Sequence, residues 1–198
     1  MGNESGSGLI DTLVCVALLG VLMAIVLPNG GALRRRADLE GVARQVISDA
    51  ARCRAFAINS QRRAGLVFTK RHGKWSYNGV VDGDGDGVSR KDLARGVDRQ
   101  LFPTMELGQL CVTARLGVPA GWNVPDPSGR GRLRAGDGLR AGTAAMISFS
   151  PLGEATPASL YIHDGQERML ALRVYGASAR VRVLEWRRGW PQWQRLSL

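Results

Sequence analysis

The sequence is poor in the residues on which most hydrolytic and metal chemistry depends. Its 198 residues include 2 His and 3 Cys, too few for a zinc site of the usual Cys and His kind or for a disulfide-rich scaffold. It has neither a Gly-x-Ser-x-Gly nucleophile motif nor a Gly-rich phosphate loop that ends in Gly-Lys-Ser or Gly-Lys-Thr. We therefore expect a protein that is not an enzyme.

Acidic residues are scarce relative to basic ones. The chain has 27 Lys and Arg against 17 Asp and Glu, a net charge of +10, which favours an anionic partner such as nucleic acid, acidic lipid or an acidic protein surface. At 44% hydrophobic and 22% charged residues, the composition is that of a folded domain and excludes a disordered chain.

The strongest signal is a long apolar run near the N-terminus. Between Leu9 and Leu27 only Asp11 and Thr12 are polar, and a helix of this length would measure about 28 Å, close to the ~30 Å of a bilayer core. Because the preceding residues MGNESG are not basic, the run predicts a retained membrane-spanning helix, with a cleaved signal peptide as the alternative.

The acid within this run has a characteristic place. A carboxylate at membrane depth costs roughly 2.5–3.5 kcal/mol, so it needs a partner. Counted from Ser7, the fifth, fourteenth and twenty-second residues are Asp11, Gly20 and Pro28. This pattern resembles the type IV prepilin signature. The resemblance implies that a prepilin peptidase cuts between Gly6 and Ser7, that the new amine is methylated, and that Asp11 pairs with an N-terminal amine during assembly.

A second helix is predicted after the Pro-Asn-Gly-Gly segment at 28–31. From Leu39 to Ala57, apolar residues recur at every third or fourth position, with basic and polar residues off this stripe. The spacing predicts an amphipathic helix of about 25 residues that ends near Asn59 and packs its stripe against a sheet. Its basic side is either a solvated face or a binding face.

Beyond Arg63 the hydrophobic period shortens. Runs rich in β-branched and aromatic residues predict strands at 64–69, 75–81, 110–116, 145–150, 159–163, 169–175 and 179–186. Turn residues between the last three predict an antiparallel meander. The segment 117–143 has ten Gly or Pro in 27 residues and predicts a long mobile loop.

The order of these segments resembles the GspH/FimT family of minor pseudopilins and minor pilins. Four blocks carry the resemblance: SDAARCRAFAINSQRR at 48–63, VVDGDGDGVSRKDL at 80–93, ISFSPLGEATPASLYIHDG at 147–165 and LRVYGASARVRV at 172–183. The resemblance implies a type IV pilin-like α+β fold. Its parts would be a leader at 1–6, a transmembrane and filament-core helix at 7–28, an amphipathic helix at 29–62 and an antiparallel β-rich periplasmic domain at 63–198.

The same resemblance implies a minor pseudopilin or minor pilin at the filament tip of a type II secretion or type IV pilus system. The expected partners are other pilins or pseudopilins, a prepilin peptidase and the inner membrane, with a single-pass location and a periplasmic C-terminal domain, or a place in a periplasmic or extracellular filament. One alternative is FimT-like DNA binding during DNA uptake. A second is a membrane-anchored, calcium-binding ectodomain that is independent of any filament.

Arginines near the C-terminus support the DNA-binding alternative. Some FimT-type proteins bind DNA through a Gly-Arg-x-Arg segment, and the corresponding segment Ala179–Arg182 lacks the glycine. Neighbouring Trp residues add faces on which bases stack. The candidate DNA-binding residues are Arg180, Arg182, Arg187 and Arg188. The first two are alternatively the outward residues of an alternating strand.

The segment DGDGDG is the sharpest chemical motif. Asp82, Asp84 and Asp86 alternate with glycines, a spacing that begins an EF-hand-like calcium loop. The twelfth position of that loop is Leu93 rather than Glu. The carboxylates are therefore either a weak calcium site or caps for backbone amides in a tight turn. We expect no other cofactor.

Two of the three cysteines belong to the predicted periplasmic part. Cys53 and Cys111 are either bonded to each other, since a disulfide persists outside the cytoplasm, or buried as free thiols. Cys15 lies in the apolar run and is expected to act as a small apolar residue.

Overall fold

The computed structural model describes residues 4–111, 113–142 and 144–198, apart from the side chains at 4–7, 9, 24–29 and 110. The chain divides into two compact units, Met1–Ala37 and Asp38–Leu198. Its class is α+β, with a long N-terminal helix that precedes two antiparallel sheets.

The described residues form the following elements in chain order: α1 Glu4–Ser60, β1 Ala64–Arg71, β2 Lys74–Val81, α2 Arg90–Arg95, β3 Arg99–Glu106, α3 Leu107–Leu110, β4 Arg115–Leu116, β5 Leu139–Arg140, β6 Met146–Phe149, β7 Ala158–His163, β8 Arg168–Val174, β9 Val181–Arg187 and β10 Gln194–Leu196.

Helix α1 has no interruption where the sequence predicts one. It continues through Pro28, Gly30 and Gly31 and ends at Ser60, one residue beyond the predicted end near Asn59. Pro and Gly weaken a helix, but the segments on either side are rich in Ala, Leu, Val and Arg, so their helical propensity outweighs this local cost.

The first unit contains the predicted membrane span. No helix in the described part of the chain is both long and apolar enough to cross a membrane. The predicted membrane-spanning half of the helix and the predicted single-pass inner-membrane localisation are therefore wrong.

In the second unit the strands form two sheets. One is four-stranded with the order β3-β2-β1-β6, and the other is six-stranded with the order β10-β9-β8-β7-β4, where β5 also pairs with β7. The meander predicted from the last three apolar runs is present, since β7, β8 and β9 pair antiparallel in succession.

The main core lies between α1 and the inner faces of both sheets. The apolar stripe of α1 from Leu39 to Ala57 is buried against residues of both sheets, including Phe68 of β1 and Leu170 of β8. This is the packing that the spacing of the stripe predicts, because residues three and four apart share one face of a helix.

A buried acid links α1 to the first sheet. Asp49 is 1% exposed, and its carboxylate accepts hydrogen bonds from the Tyr77 hydroxyl at 2.8 Å, the Gln45 amide at 3.0 Å and Arg52 at 3.2 Å. Burial raises the pKa of Tyr77, and its hydrogen bond to Asp49 raises that pKa further. The tyrosine therefore stays protonated and keeps donating to the helix.

The outer face of the six-stranded sheet is covered by the segment that the sequence predicts to be a mobile loop. Val118, Val124 and Leu133 from that segment are buried in a cluster with Trp186 of β9. The segment is therefore packed against the sheet and does not extend from it as a free loop, because a few apolar residues between the glycines and prolines supply enough burial to hold it there.

Between residues 94 and 116 one predicted strand is absent and one strand is present that was not predicted. The apolar run at 110–116 forms the end of α3 and the two-residue β4 instead of one strand, since a short buried apolar run does not distinguish strand from helical turn. Strand β3 was not expected because it contains Pro103. It lies at the edge of its sheet, where a missing N–H is tolerated.

Candidate functional site

The first candidate site is the exposed surface of α1 between Ile10 and Met23. Its large apolar side chains are 52–66% exposed: Ile10, Leu13, Val14, Val16, Leu18, Leu19, Val21, Leu22 and Met23. Since successive residues of a helix are about 100° apart around its axis, these side chains point in every direction. A helix that is apolar on all sides is normally buried rather than exposed to water.

The predicted assembly acid lies within this surface. Asp11 is exposed, one residue before Thr12, whose hydroxyl donates to the Gly8 carbonyl at 3.0 Å. The predicted cleavage site at Gly6 and Ser7 belongs to the backbone of α1, but the positions of these side chains lie outside the described residues. The site therefore offers one described carboxylate in an otherwise apolar surface.

The second candidate site is the aspartate loop after β2. One carboxylate oxygen from each of Asp82, Asp84 and Asp86 lies within 4.8 Å of the other two. Asp82 is 2% exposed, and the other two are exposed. Hard oxygen ligands at this separation are able to hold a metal ion.

The buried acid of this loop also organises its backbone. The carboxylate of Asp82 accepts hydrogen bonds from the N–H groups of Gly85 at 2.7 Å and Gly87 at 2.9 Å. Asp98 accepts from the N–H groups of Gly83 at 3.1 Å and Ser89 at 2.8 Å. Asp82 therefore caps backbone amides, as one interpretation of the sequence expects. It is also able to ligate a metal at the same time, because each of its carboxylate oxygens has a second lone pair.

At the exposed end of the loop, the carboxylates of Asp84 and Asp86 repel each other. The pKa of the Asp86 carboxyl is raised, first by a hydrogen bond shared with Asp84 and then by the negative charge of Asp84. A divalent cation bound between these carboxylates would relieve the repulsion.

The third candidate site is a pair of arginines on the outer face of the six-stranded sheet. Arg173 of β8 and Arg182 of β9 are directly opposite each other. Both guanidinium carbons lie over the Tyr175 ring, at 5.7 Å and 5.0 Å from its centroid. Arg173 also donates to the Pro127 carbonyl at 3.1 Å. Within the described ranges no carboxylate forms an ion pair with either arginine, so this surface attracts anions.

The four predicted DNA-binding arginines do not form one patch. Arg180 and Arg182 are exposed at the start of β9, whereas Arg187 and Arg188 lie at and beyond its end. Five residues of strand separate Arg182 from Arg187 by roughly 17 Å, and their odd spacing places them on opposite faces.

Arg187 is already engaged. Its Nε donates to the Glu185 carboxylate at 2.8 Å, which also accepts from Arg168 at 2.8 Å, and its guanidinium lies 5.2 Å from the Trp190 ring centroid. Burial acts to raise the pKa of Glu185, but the hydrogen bonds from both arginines outweigh it and lower that pKa. Part of the Arg187 charge is thus neutralised within the protein.

The cysteines are free thiols. Cys53 and Cys111 are both buried and unbonded, and Cys15 is exposed, so of the two alternatives for Cys53 and Cys111 the structure has the buried free thiols. Burial is the main cause that raises the pKa of Cys53 to about 12, and burial also raises the pKa of Cys111. Both therefore serve as small apolar residues of the core.

No family model, curated protein or solved structure matches the chain. The geometry of its own residues is accordingly the basis for any assignment. That geometry includes two residues that the sequence reasoning missed, Arg173 and Tyr175. In the structure residue 173 lies opposite residue 182, one residue away from the pairing of a hairpin centred on the predicted turn at 176–178, so the sequence alone predicts the wrong register for this pair.

Proposed function

We propose that the chain is a subunit of a helical filament, a minor pseudopilin or minor pilin of a type II secretion or type IV pilus system, of the GspH/FimT kind. It assembles at the filament tip through residues 10–23 of α1. The observation that carries this proposal is the exposed apolar surface on every side of that segment. Burial of each of these side chains contributes about 1.5–3 kcal/mol, and only several neighbouring helices cover all sides.

Asp11 gives this assembly its register. Enclosed by apolar helices, its carboxylate loses its hydration, a cost that only a nearby cation offsets. We propose that this cation is the N-terminal amine of Ser7 of a neighbouring subunit, created by cleavage after Gly6. The pair adds little net stability, but it disfavours packing in which the carboxylate has no partner.

Processing is tested by mass. Co-expression with a prepilin peptidase is expected to remove the first six residues, measured as the intact mass of the product. The Gly6→Val variant is expected to keep its full length, while the matched Gly8→Val variant is cut like the parent chain. An unchanged mass in the parent chain would reject the processing step.

Assembly is tested with the processed chain and its partner pilins. The Asp11→Ala variant is expected to enter filaments at least about tenfold less than the parent, as measured by quantitative blotting of sheared fibres, because an unpaired amine is left in the apolar core. The Asp84→Asn variant, which removes a carboxylate from a surface loop, serves as the control. Equal incorporation of Asp11→Ala and the parent would remove Asp11 from the proposal.

A second candidate function is nucleic-acid binding, favoured by Arg173 and Arg182, whose guanidinium groups both lie over the ring of Tyr175. Two guanidinium groups without carboxylate partners fit adjacent phosphates, and the exposed ring offers a stacking face. The Arg173→Gln, Arg182→Gln double variant of the full chain is expected to lower the slope of log K against log salt by about 1.8 for a DNA duplex.

The matched control for DNA binding is the Arg187→Gln, Arg188→Gln double variant. It removes the same charge, but Arg187 is held by Glu185, so we expect a smaller loss of affinity. Equal losses in the two variants would mean that only net charge matters, and the paired arginines would then not be a site.

For the aspartate loop we propose calcium as the metal. The flexible, oxygen-only ligand set suits Ca²⁺ better than Mg²⁺, which demands near-ideal octahedral geometry. Calcium at 1 mM is expected to raise the melting temperature relative to a chelator, and magnesium is expected to raise it less. The Asp84→Asn, Asp86→Asn double variant, which spares the buried Asp82, should abolish the shift. Equal melting temperatures in calcium and in chelator would exclude the metal.

A further inference from the structure

The outer face of the four-stranded sheet contains a polar cavity that none of the proposals above uses. Its volume is about 400 Å³, within the size range of small-ligand sites. The cavity is built by cross-strand pairs of one hairpin: Thr69 lies opposite Ser76, and Arg71 lies opposite Lys74. The edge strand β3 contributes Thr104 and Glu106.

Asn78 of β2 contributes its side-chain amide to the lining of this cavity. Asn78 is 7% exposed and lines the cavity. Its side chain makes no hydrogen bond with any residue in the described ranges. The amide atoms are not fully enclosed by protein, because among the described residues the enclosed side-chain polar atom without a partner is Nε of Arg54. The amide, with two donors and one acceptor, is therefore available to a ligand that enters the cavity.

The outer end carries positive charge. Arg71 and Lys74 are directly opposite each other beside the turn formed by His72 and Gly73, whose φ angles are 49° and 78°, as in a type I′ turn. Like charges in directly opposite positions are destabilising. An anionic group between them would remove that repulsion, while the Glu106 carboxylate and the hydroxyls suit neutral donors beside it.

From this arrangement we propose that the cavity binds a small polyol that carries a phosphate or sulfate group. The anionic group lies between Arg71 and Lys74. The hydroxyl groups of the polyol exchange hydrogen bonds with Asn78, Thr69 and Ser76. The site selects a ligand that has both an anionic group and hydroxyl groups. A ligand with only one of the two leaves some of the polar groups of the cavity without a partner.

The test is calorimetric titration of the full-length chain with glucose 6-phosphate, glucose 6-sulfate, glucose and inorganic phosphate in separate arms. We expect glucose 6-phosphate or glucose 6-sulfate to bind at least fivefold more tightly than either glucose or inorganic phosphate. The stronger of the two esters identifies the anion. Absence of binding by both esters, or equal affinity for inorganic phosphate and the esters, would overturn the proposal.

Variants locate the binding. Asn78→Ala is expected to weaken ester binding about threefold to tenfold by removing one or two hydrogen bonds. Lys74→Gln, an exposed substitution that the fold tolerates, should weaken the ester about threefold without changing the affinity for glucose, so it carries the test even if Asn78→Ala does not fold. Lys91→Gln on α2 is the matched control and is expected to change nothing. Ester binding unaffected by Lys74→Gln would exclude this cavity.

Discussion

The two parts of α1 contain similar apolar residues in different arrangements. From Leu39 to Ala57 these residues form one stripe and are buried in the core of their unit, whereas from Ile10 to Met23 they surround the helix and are exposed. A single apolar stripe is buried when one side of the helix packs against the rest of its unit. An apolar surface on all sides is buried only when several neighbours surround the helix. The second part therefore specifies the fold of its own unit, and the first part is the exposed surface from which we propose assembly.

The two parts should differ most in how much a single Val→Asp substitution lowers the free energy of unfolding. Val46→Asp buries an unpaired carboxylate at a position that is 3% exposed, so we expect it to lower the free energy of unfolding by about 4 kcal/mol or more. Val16→Asp, at a position 66% exposed, is expected to change it by less than about 0.5 kcal/mol. Urea unfolding followed by Trp fluorescence measures both values.

The same two variants should show the opposite order in assembly. Val16→Asp is expected to prevent incorporation into filaments, because its carboxylate would be enclosed by neighbouring helices without a cation. If Val16→Asp instead destabilised the unassembled chain as much as Val46→Asp, the first part of α1 would be part of the core and the comparison would fail.

The next largest difference is expected in the rate at which the cysteine of each part reacts with an alkylating reagent. With its pKa raised to about 12, Cys53 has about one thiolate in 10⁴ molecules at pH 8, and burial restricts access further. Cys15 is exposed. We therefore expect Cys15 to react with iodoacetamide at least about 10³-fold faster in the monomeric chain, as measured by peptide mass spectrometry.

Urea provides the control for this reactivity, since the unfolded chain should lose the difference between the thiols. Protection of Cys15 on assembly would extend the result to the filament. Rapid labelling of Cys53 in the folded chain would show that its helix face opens, contrary to the burial of the stripe.

The parts of the fold that were predictable are those set by local sequence patterns. The stripe on α1 and the meander of β7, β8 and β9 follow from hydrophobic period and turn residues, so both were found. Strand β3 was missed because Pro103 in its interior conceals an edge strand. The covering segment at 117–143 was misjudged because its apolar anchors are few and separated by glycines and prolines.

The candidate sites were predictable only in part. The aspartates of DGDGDG are adjacent in sequence, and the structure brings their carboxylates together. The arginine pair formed by Arg173 and Arg182 depends on strand register, and the polar cavity at Asn78 depends on three strands at once. A single sequence shows residue types and local spacing, but these two surfaces are made by tertiary contacts.

A smaller difference is expected for the acids of the two parts. Asp49→Ala leaves the buried Tyr77 hydroxyl without its acceptor, so we expect a loss of about 2–3 kcal/mol in the free energy of unfolding. Asp11→Ala is expected to change that free energy by less than about 0.5 kcal/mol. Tyr77→Phe, which leaves Asp49 its bonds from Gln45 and Arg52, should cost about 1 kcal/mol. Equal effects of the two Asp→Ala variants in urea unfolding would contradict the separation of structural and assembly acids.

The smallest effect is expected for Gly→Ala substitutions at one position in each part of α1. A Cβ atom added at Gly41 or Gly20 has no neighbour within 4 Å, so Ala fits at both positions. Gly41→Ala lies in the part whose stripe is buried, and we expect it to raise the free energy of unfolding by about 0.5–1 kcal/mol by restricting the unfolded chain. Gly20→Ala is expected to raise helix content in circular dichroism without moving the urea midpoint followed by Trp fluorescence. A shift of that midpoint by Gly20→Ala would mean that the helix unfolds as one cooperative unit over its whole length, and the two parts would then differ only in what covers them.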